Sequence, residues 1–320
     1  MPPAERIPVV IDTDPGVDDA VTILAALASP ALDVRAISVV HGNIELDQAV
    51  ANARRVVTFS GRRDVPIHAG TTRPLLRTPM RGKFHGTKGL GPLALPEPEV
   101  AVEAEHSVDL LARLLRAAVR GEARKLTLCA IGPRTNVALA LAKEPELAGG
   151  LERIVLMGGA FREGGNRTAT AEFNILADPH AAQIVFASGA PIVMAPLDVT
   201  HRAMATPERV AALRARGGRI AEAVADLLAF FDRKDPARYG THGAPVHDPT
   251  VIAWLLRPEL FEARRTYVEV CCQDGIAFGQ TVADWWGTTG KAPNADVLVG
   301  IDADGFFELL GSLLARYPAA

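Results

Sequence analysis

The fold is decided by the stretch from Ile7 to Ala28, which reads IPVVIDTDPGVDDAVTILAALA. The apolar run from Ile7 to Ile11 predicts a buried strand, and the segment from Asp18 to Ala28 predicts a helix. The two are separated by an acidic turn that contains Pro15 and Gly16. A buried strand that runs through a short turn into a helix is the building unit of a parallel α/β sheet.

The same alternation of apolar strands and helices continues along the chain. Further strands are predicted at 34–40, 65–68, 125–131, 154–157 and 192–195, with helices at 46–59, 108–119, 136–142 and 181–187. Residues 207–257 are predicted to be mainly helical, and strand-like runs over 265–301 precede a last helix at 305–314. The pattern predicts one open, mostly parallel sheet flanked by helices, within a single domain spanning residues 1–320. The site is expected at the carboxyl ends of the strands.

The composition is that of an ordinary globular protein. The 320 residues include 48% hydrophobic and 22% charged residues, with a formal net charge of −3, which argues against a disordered chain or a coiled coil. The near-neutral charge gives no support to a nucleic-acid partner. We find no amino-terminal signal pattern and no membrane-length apolar stretch, so we expect a cytoplasmic protein without a membrane partner.

Four carboxylates crowd the turn after the first predicted strand: Asp12, Asp14, Asp18 and Asp19. Helix capping accounts for one or two of them, because carboxylates are favourable at a helix amino terminus. It does not account for four, since crowded carboxylates repel one another unless a cation neutralises them. Oxygen donors at this density favour Ca²⁺ or Mg²⁺ over zinc.

Two well-known acidic loops share part of this pattern. An EF-hand loop that starts at Asp12 fails, because Val17 and Ile23 occupy the positions that require Gly and Glu. An aspartyl-phosphate phosphatase that uses Asp12 as its nucleophile remains a weak alternative, since Gly16 stands where such loops carry Thr or Val.

The DTDPGVDD sequence at 12–19 is the first of a series of ordered motifs. The further motifs are VHGN at 40–43, FHG at 84–86, GPRTN at 132–136, LMGG at 156–159, AEFN at 171–174, LDVTH at 197–201, VHDP at 246–249, DWW at 284–286 and PNA at 293–295. Taken in this order, the motifs resemble those of the nucleoside hydrolase family, the inosine–uridine-preferring ribonucleoside hydrolases, and the resemblance covers essentially the whole chain.

The resemblance implies hydrolysis of the N-glycosidic bond of a ribonucleoside, which releases ribose and a free base. It implies that Asp14, Asp19, Asp248 and the backbone carbonyl of Ile131 hold a Ca²⁺. Asp14 would be the base for a metal-bound water that attacks with inversion. Ribose would be bound by Asp18, Asn43, Met157, Asn166, Glu172 and Asn174. Nearby carboxylates suit this chemistry, because cleavage develops positive charge on the sugar.

The departing base needs a proton donor on the opposite side of the sugar. The resemblance favours His247 as that acid, with His85 as the second candidate. Tyr239 and His242 fall in a segment that varies within the family, so they receive no assigned role. Arg167 and its neighbour Arg162 are expected to lie at the surface.

The family resemblance also implies a homo-oligomer, a dimer or tetramer, that acts on a small-molecule nucleoside in purine or pyrimidine salvage. No rule in the sequence separates purine from pyrimidine preference. A non-catalytic protein that binds nucleosides or ribose is the further alternative to the hydrolase.

Overall fold

The computed structural model describes residues 5–231 and 239–318. Its first elements are β1 (Ile7–Thr13), α1 (Val17–Ala28), β2 (Leu32–Val39), α2 (Leu46–Ser60), β3 (Ile67–Ala69), β4 (Val102–Glu103), α3 (Ser107–Val119), β5 (Leu126–Ala130), α4 (Thr135–Lys143) and β6 (Leu151–Met157). The middle of the chain forms α5 (Phe173–Ala177), α6 (Pro179–Phe186), β7 (Ile192–Ala195), α7 (Leu197–Thr200), β8 (Met204–Ala205), α8 (Pro207–Ala215) and α9 (Arg219–Phe230). The last elements are β9 (Ala244–Pro245), α10 (Pro249–Leu256), β10 (Phe261–Val270), β11 (Thr281–Asp284), β12 (Ala295–Ile301) and α11 (Ala303–Leu314).

Ten strands form one sheet in the order β11-β10-β12-β7-β6-β5-β1-β2-β3-β4. From β12 to β4 the neighbouring strands run parallel, and β10 is antiparallel to both β11 and β12. The predicted fold class, a single open and mostly parallel sheet flanked by helices, is confirmed. Because the order reverses direction beside β1, the carboxyl ends of β1, β2, β5 and β6 meet around one crevice.

The sheet is covered on both faces, which explains why its central strands are continuously apolar. Along β1, Val9 and Ile11 belong to one core cluster together with α1, α2 and α9, whereas Val10 belongs to the opposite cluster with α3, α4 and α6. All three side chains are completely buried. Each contributes roughly 1.5–3 kcal/mol through burial, so the strand that carries the acidic turn is firmly anchored.

The structure departs from the sequence-based expectations mainly at short elements. The strand expected at 65–68 occupies Ile67–Ala69, and the edge strand β4 was not predicted because its two residues are exposed and carry no apolar pattern. The helical region expected over 207–257 contains α8, α9 and α10 but also β9. Residues 232–238 of that region lie outside the described residues.

Within 5–231 and 239–318, none of the helices combines the length and hydrophobicity that a bilayer crossing demands. The longest of them, α2, has 15 residues, whereas a span requires about 20.

Candidate active site and metal centre

A pocket opens at the carboxyl ends of the central strands, where the sequence predicted the site. Most of the predicted site residues line it: Asp18, Asn43, His85, Ile131, Met157, Asn166, Glu172, Asn174, His247 and Asp248. The two remaining residues, Asp14 and Asp19, are completely buried next to this lining. The chain therefore gathers residues from seven separate segments into one cleft.

Asp14 lies in a narrow space between two glycine-containing turns. Its Oδ2 accepts a hydrogen bond from the backbone N–H of Asn43 at 2.6 Å, whereas its Oδ1 has no hydrogen-bond partner among the described residues. A Cβ on Gly132 would lie 2.8 Å from Oδ1, and one on Gly42 would collide with Oδ2. These two glycines are therefore required because the backbone approaches the carboxylate so closely.

Asp19 ties the acidic turn together through its hydrogen bonds. Its Oδ1 accepts from the Thr13 hydroxyl at 2.5 Å, and its Oδ2 accepts from the backbone N–H of Gly16 at 2.9 Å and from the Asn43 amide at 3.2 Å. The bond to Gly16 is the returning half of a capping box, with Asp19 at the third position of α1. Capping thus explains Asp19 in part, as the sequence suggested.

Three carboxylates converge on one point at the floor of the pocket. Asp18, Asp19 and Asp248 each offer an oxygen, and these oxygens lie within 4.8 Å of one another. These oxygens form an all-oxygen donor set of the kind that a hard divalent cation prefers. The expected metal set contained Asp14, Asp19 and Asp248. In the structure the converging oxygens belong to Asp19, Asp248 and Asp18, which had been expected to bind ribose, and Asp14 is not a member of this group.

The backbone carbonyl of Ile131, the fourth expected metal ligand, is engaged within the protein. It accepts a hydrogen bond from the Asn174 amide at 2.8 Å. A carbonyl oxygen has a second lone pair, so this bond leaves one acceptor position.

Burial and mutual repulsion destabilise the charged forms of these acids. Burial raises the pKa of Asp14 well above its usual range, and the neighbouring Asp19 and Asp18 raise it further. Burial also raises the pKa of Asp248 well above its usual range, with added repulsion from Asp18, Asp19 and Asp14. A bound cation would lower both pKa values again, because its positive charge stabilises the carboxylates in place of water and offsets their mutual repulsion.

Glu172 and Asn174 form the wall of the pocket opposite the acidic turn. Glu172 caps α5: its carboxylate accepts from the backbone N–H groups of Asn174 at 2.8 Å, Gly159 at 3.0 Å and Ile175 at 3.1 Å. Burial raises its pKa despite these bonds. Asn166 is half-buried at the pocket, and its amide oxygen accepts from the backbone N–H of Phe173.

Two histidines line the pocket, and each is fixed by a hydrogen bond. Nδ1 of His85 accepts from the backbone N–H of Val17 at 3.1 Å, which leaves Nε2 to carry the proton of the neutral ring. A Cβ on Gly16 would collide with this imidazole, which explains the glycine. His247 pairs through Nδ1 with the hydroxyl of Thr200 at 2.8 Å. These hydrogen bonds fix the orientation of both imidazole rings at the pocket.

Asp12, the nucleophile of the phosphatase alternative, lies outside the pocket lining. It is completely buried on β1, where its Oδ1 accepts hydrogen bonds from Ser38 at 2.5 Å and from Asn136 at 2.9 Å. Burial raises its pKa to about 6. This geometry favours a structural role, since a nucleophile must reach the substrate.

The structure also reveals pocket residues that the sequence analysis missed or misplaced. Arg167 was expected at the surface but lines the pocket, so that expectation is wrong, whereas Arg162 is exposed as expected. Phe231 packs against His85 with ring centroids 5.2 Å apart and the ring planes tilted by 43°. Arg134 is completely buried beneath the site. Its position at the N-cap of α4, where a cation is unfavourable, is the one sequence signal that could have indicated it.

Comparison with known proteins decides the family. A family model described as inosine–uridine-preferring nucleoside hydrolase matches residues 9–308. The chain belongs to this nucleoside hydrolase family. The resemblance drawn from the sequence motifs is thereby confirmed, and the chain is a ribonucleoside hydrolase that acts on a small-molecule nucleoside.

Relatives of this nucleoside hydrolase match over nearly their whole lengths. The pyrimidine-specific ribonucleoside hydrolase RihA of Citrobacter koseri is 46% identical, over 98% of this chain and 99% of that protein. The uncharacterized protein C1683.06c of Schizosaccharomyces pombe is 41% identical, over 97% and 99%. Among solved structures, the purine-preferring ribonucleoside hydrolase from Gardnerella vaginalis has a TM-score of 0.87 and 29% identity, covering 96% of this chain and 98% of that one.

Proposed function

We propose that this nucleoside hydrolase is Ca²⁺-dependent and cleaves the N-glycosidic bond with inversion, with Asp14 as the catalytic base. The observation that carries the proposal is the convergence of Asp18, Asp19 and Asp248. The buried Asp14 repels these acids electrostatically, so it belongs to the same group of charges. Asp14, Asp19, Asp248 and the Ile131 carbonyl would hold the cation, with Asp18 close enough to join them. When bound, a calcium ion supplies positive charge that holds the ribose hydroxyls and makes a water easier to deprotonate.

The base role of Asp14 follows from its position and its electrostatics. Its Oδ1 has no hydrogen-bond partner among the described residues, so this oxygen can accept a proton from water, while Oδ2 is fixed by the backbone N–H of Asn43. Water that has lost its proton to Asp14 attacks the anomeric carbon from the side opposite the base, which inverts that carbon.

The ribose is held by groups that match its hydroxyls. Asn43, Asn174 and Glu172 present amide and carboxylate groups to the pocket, while Asn166 and Met157 complete the wall on the same side. Carboxylates around the ring stabilise the positive charge that develops on the sugar during cleavage.

Protonation of the departing base is assigned to His247, with His85 as the second candidate. Both line the pocket, and because Nδ1 of His85 accepts from the backbone N–H of Val17, Nε2 is the ring nitrogen that can carry a proton for the leaving base. Phe231, whose ring lies against His85 at a tilt, offers an apolar surface for the leaving base.

We further propose that the substrates are pyrimidine ribonucleosides. The support is the 46% identity to a pyrimidine-specific relative, against 29% to a purine-preferring one. The protein is proposed to act in the cytoplasm in nucleoside salvage, as a single-domain homo-oligomer.

The test is a screen of uridine, cytidine, inosine and adenosine, with released ribose as the common readout. The expected result is release of ribose, and release is expected to be fastest from the two pyrimidine nucleosides, uridine and cytidine. Asp14→Asn serves as the matched inactive control. Tight binding of nucleosides by the purified chain without any ribose release would indicate a binding module and contradict the proposal. Faster cleavage of inosine would overturn only the pyrimidine preference.

A further inference from the structure

Arg134 is a buried cation directly beneath an acidic pocket. It is completely buried and is the largest fully buried side chain among the described residues. Isolated buried charges are strongly unfavourable, so an arginine in this position requires compensating groups. It also stands at the N-cap of α4, where the helix dipole disfavours positive charge. Neither local helix chemistry nor solvent explains its presence.

The guanidinium contacts the backbone at the end of β6 and lies near Glu172, which lines the pocket. Its Nη2 donates a hydrogen bond to the backbone carbonyl of Met157. A Cβ on Gly158 would lie 2.9 Å from Nη2 and 3.0 Å from Oε2 of Glu172, so the two charged groups face the same glycine. Within the described part of the chain, Nε and Nη1 have no hydrogen-bond partner. The side chain is thus held by one hydrogen bond and by charge.

The charges around Arg134 are those of the site itself. Burial lowers its pKa, and Glu172, Asp12, Asp248 and Asp14 oppose that effect by attraction. Reciprocally, Arg134 helps to lower the pKa values of Asp12, Asp14 and Glu172, all of which burial raises. Since a guanidinium keeps its proton under nearly all conditions, this positive charge is permanent.

We propose that Arg134 is a positioning residue, a fixed counter-charge that holds Glu172 and the Met157 carbonyl in place for ribose. Its charge also weakens the attraction of the pocket for a divalent cation. The inference rests on the proposed function. The two effects follow from one location: the guanidinium attracts the acids that face the sugar and repels any cation that those acids bind.

The inference predicts effects of opposite sign on two ligands. Replacing the charge by Arg134→Gln should tighten the binding of Ca²⁺ about tenfold, because a repulsive neighbour is lost in a low-dielectric site. The same variant should raise KM for uridine about tenfold or more, because Glu172 loses the positive charge that stabilises its carboxylate and the Met157 carbonyl loses its charged donor. A general defect in folding would weaken both ligands together.

The experiment is calorimetric titration of Ca²⁺ into the full chain after removal of bound metal, combined with steady-state kinetics on uridine. Arg134→Met is the second charge-free variant, of similar length and apolar, and should also bind Ca²⁺ more tightly. Arg134→Lys retains the charge but not the planar fork. It should keep Ca²⁺ affinity within about threefold of the unmodified chain while still raising KM.

A matched surface control is Arg113→Gln, which removes an exposed helix arginine paired with Glu105. It should change neither Ca²⁺ affinity nor KM. Unchanged or weaker Ca²⁺ binding in both Arg134→Gln and Arg134→Met would overturn the inference, while the proposed function would stand. Absence of Ca²⁺ binding by the unmodified chain would instead contradict the proposed metal dependence, and the inference with it.

Discussion

Acidic residues behave in opposite ways near the edge of the sheet and at its centre. Near the edge, on β10, Glu269 accepts a hydrogen bond from Lys291 at 2.8 Å, and this bond holds its carboxyl pKa below the usual range. In the turn after β1, burial raises the pKa of Asp14, and its nearest charged neighbours are other acids. The edge neutralises its acids with side chains of the protein, whereas the pocket leaves its acids partly uncompensated.

This difference indicates that the pocket, unlike the edge, requires positive charge from a bound ligand. A fold that supplies basic side chains for acids at its surface could have buried several beside the pocket acids too. Among the described residues, however, Arg134 is the one lysine or arginine that is buried. Unfavourable electrostatics of this kind persists at functional sites, because the ligand relieves it. The pocket is therefore built to be completed by a cation and by a sugar that becomes positive.

The largest expected effect is at Asp14. Asp14→Asn should reduce kcat for uridine by about 1,000-fold or more, because an amide cannot accept the proton of the attacking water. Circular dichroism and thermal unfolding should show an intact fold, since the amide is nearly the same size as the carboxyl group. Activity within tenfold of the unmodified chain would remove Asp14 as the base.

A smaller loss is expected at His247. His247→Ala should slow nucleoside hydrolysis about 100-fold while affecting activated aryl ribosides much less, because their leaving groups need no proton. His85→Ala should show a weaker form of the same pattern, and His106→Ala, at an exposed helix end, should show none. Equal losses of His247→Ala on both substrate types would contradict its role as the acid.

An effect of intermediate size is expected on the pH dependence of the free energy of unfolding, and it arises from the buried His41. Burial lowers the pKa of His41 to about 4, so the folded protein keeps this ring neutral while the unfolded chain protonates it below about pH 6.5. Stability from His41 is complete above pH 6.5 and is lost as the pH falls toward 4. The loss at pH 5 amounts to about 2 kcal/mol.

Urea unfolding at pH 7.5 and pH 5 measures this effect. The unmodified chain should lose more stability between the two pH values than His41→Gln does, because glutamine does not titrate but can still bond to Thr135. The same pH dependence in both proteins would show that His41 is not held neutral by burial.

The smallest effect is expected at the edge of the sheet. Glu269→Gln should change the melting temperature by no more than about 2 °C at pH 7 and should leave uridine hydrolysis unchanged, since exposed ion pairs contribute little. Because the carboxyl pKa is lowered, the small contribution of Glu269 is present at neutral pH and is lost as the pH falls through this lowered pKa. A loss of uridine hydrolysis in Glu269→Gln would contradict the claim that this acid, unlike those of the pocket, has no part in the reaction.

The fold was predictable because its central strands are buried on both faces. Val9, Val10 and Ile11 form an unbroken apolar run for that reason, and the acidic turn after them marks the crevice. By contrast, β4 could not be predicted, because its two exposed residues form a strand only by pairing with β3.

The site was predictable as a set of residues but not in its detailed arrangement. Whether Asp14 or Asp18 approaches Asp19 and Asp248 depends on side-chain directions, which spacing does not determine. The pocket position of Arg167 depends on the loop before α5, and that loop has no periodic pattern. Arg134 carried a local conflict with its helix, which becomes meaningful only when the acids around it are known.

The most direct test is ribose release from uridine by the full chain, measured after removal of bound metal and again after addition of Ca²⁺. The metal-free chain should be nearly inactive, and Ca²⁺ should restore activity at about one ion per chain, but not in Asp14→Asn. Full activity in the metal-free chain would contradict the claim that the acidic pocket needs a cation to work.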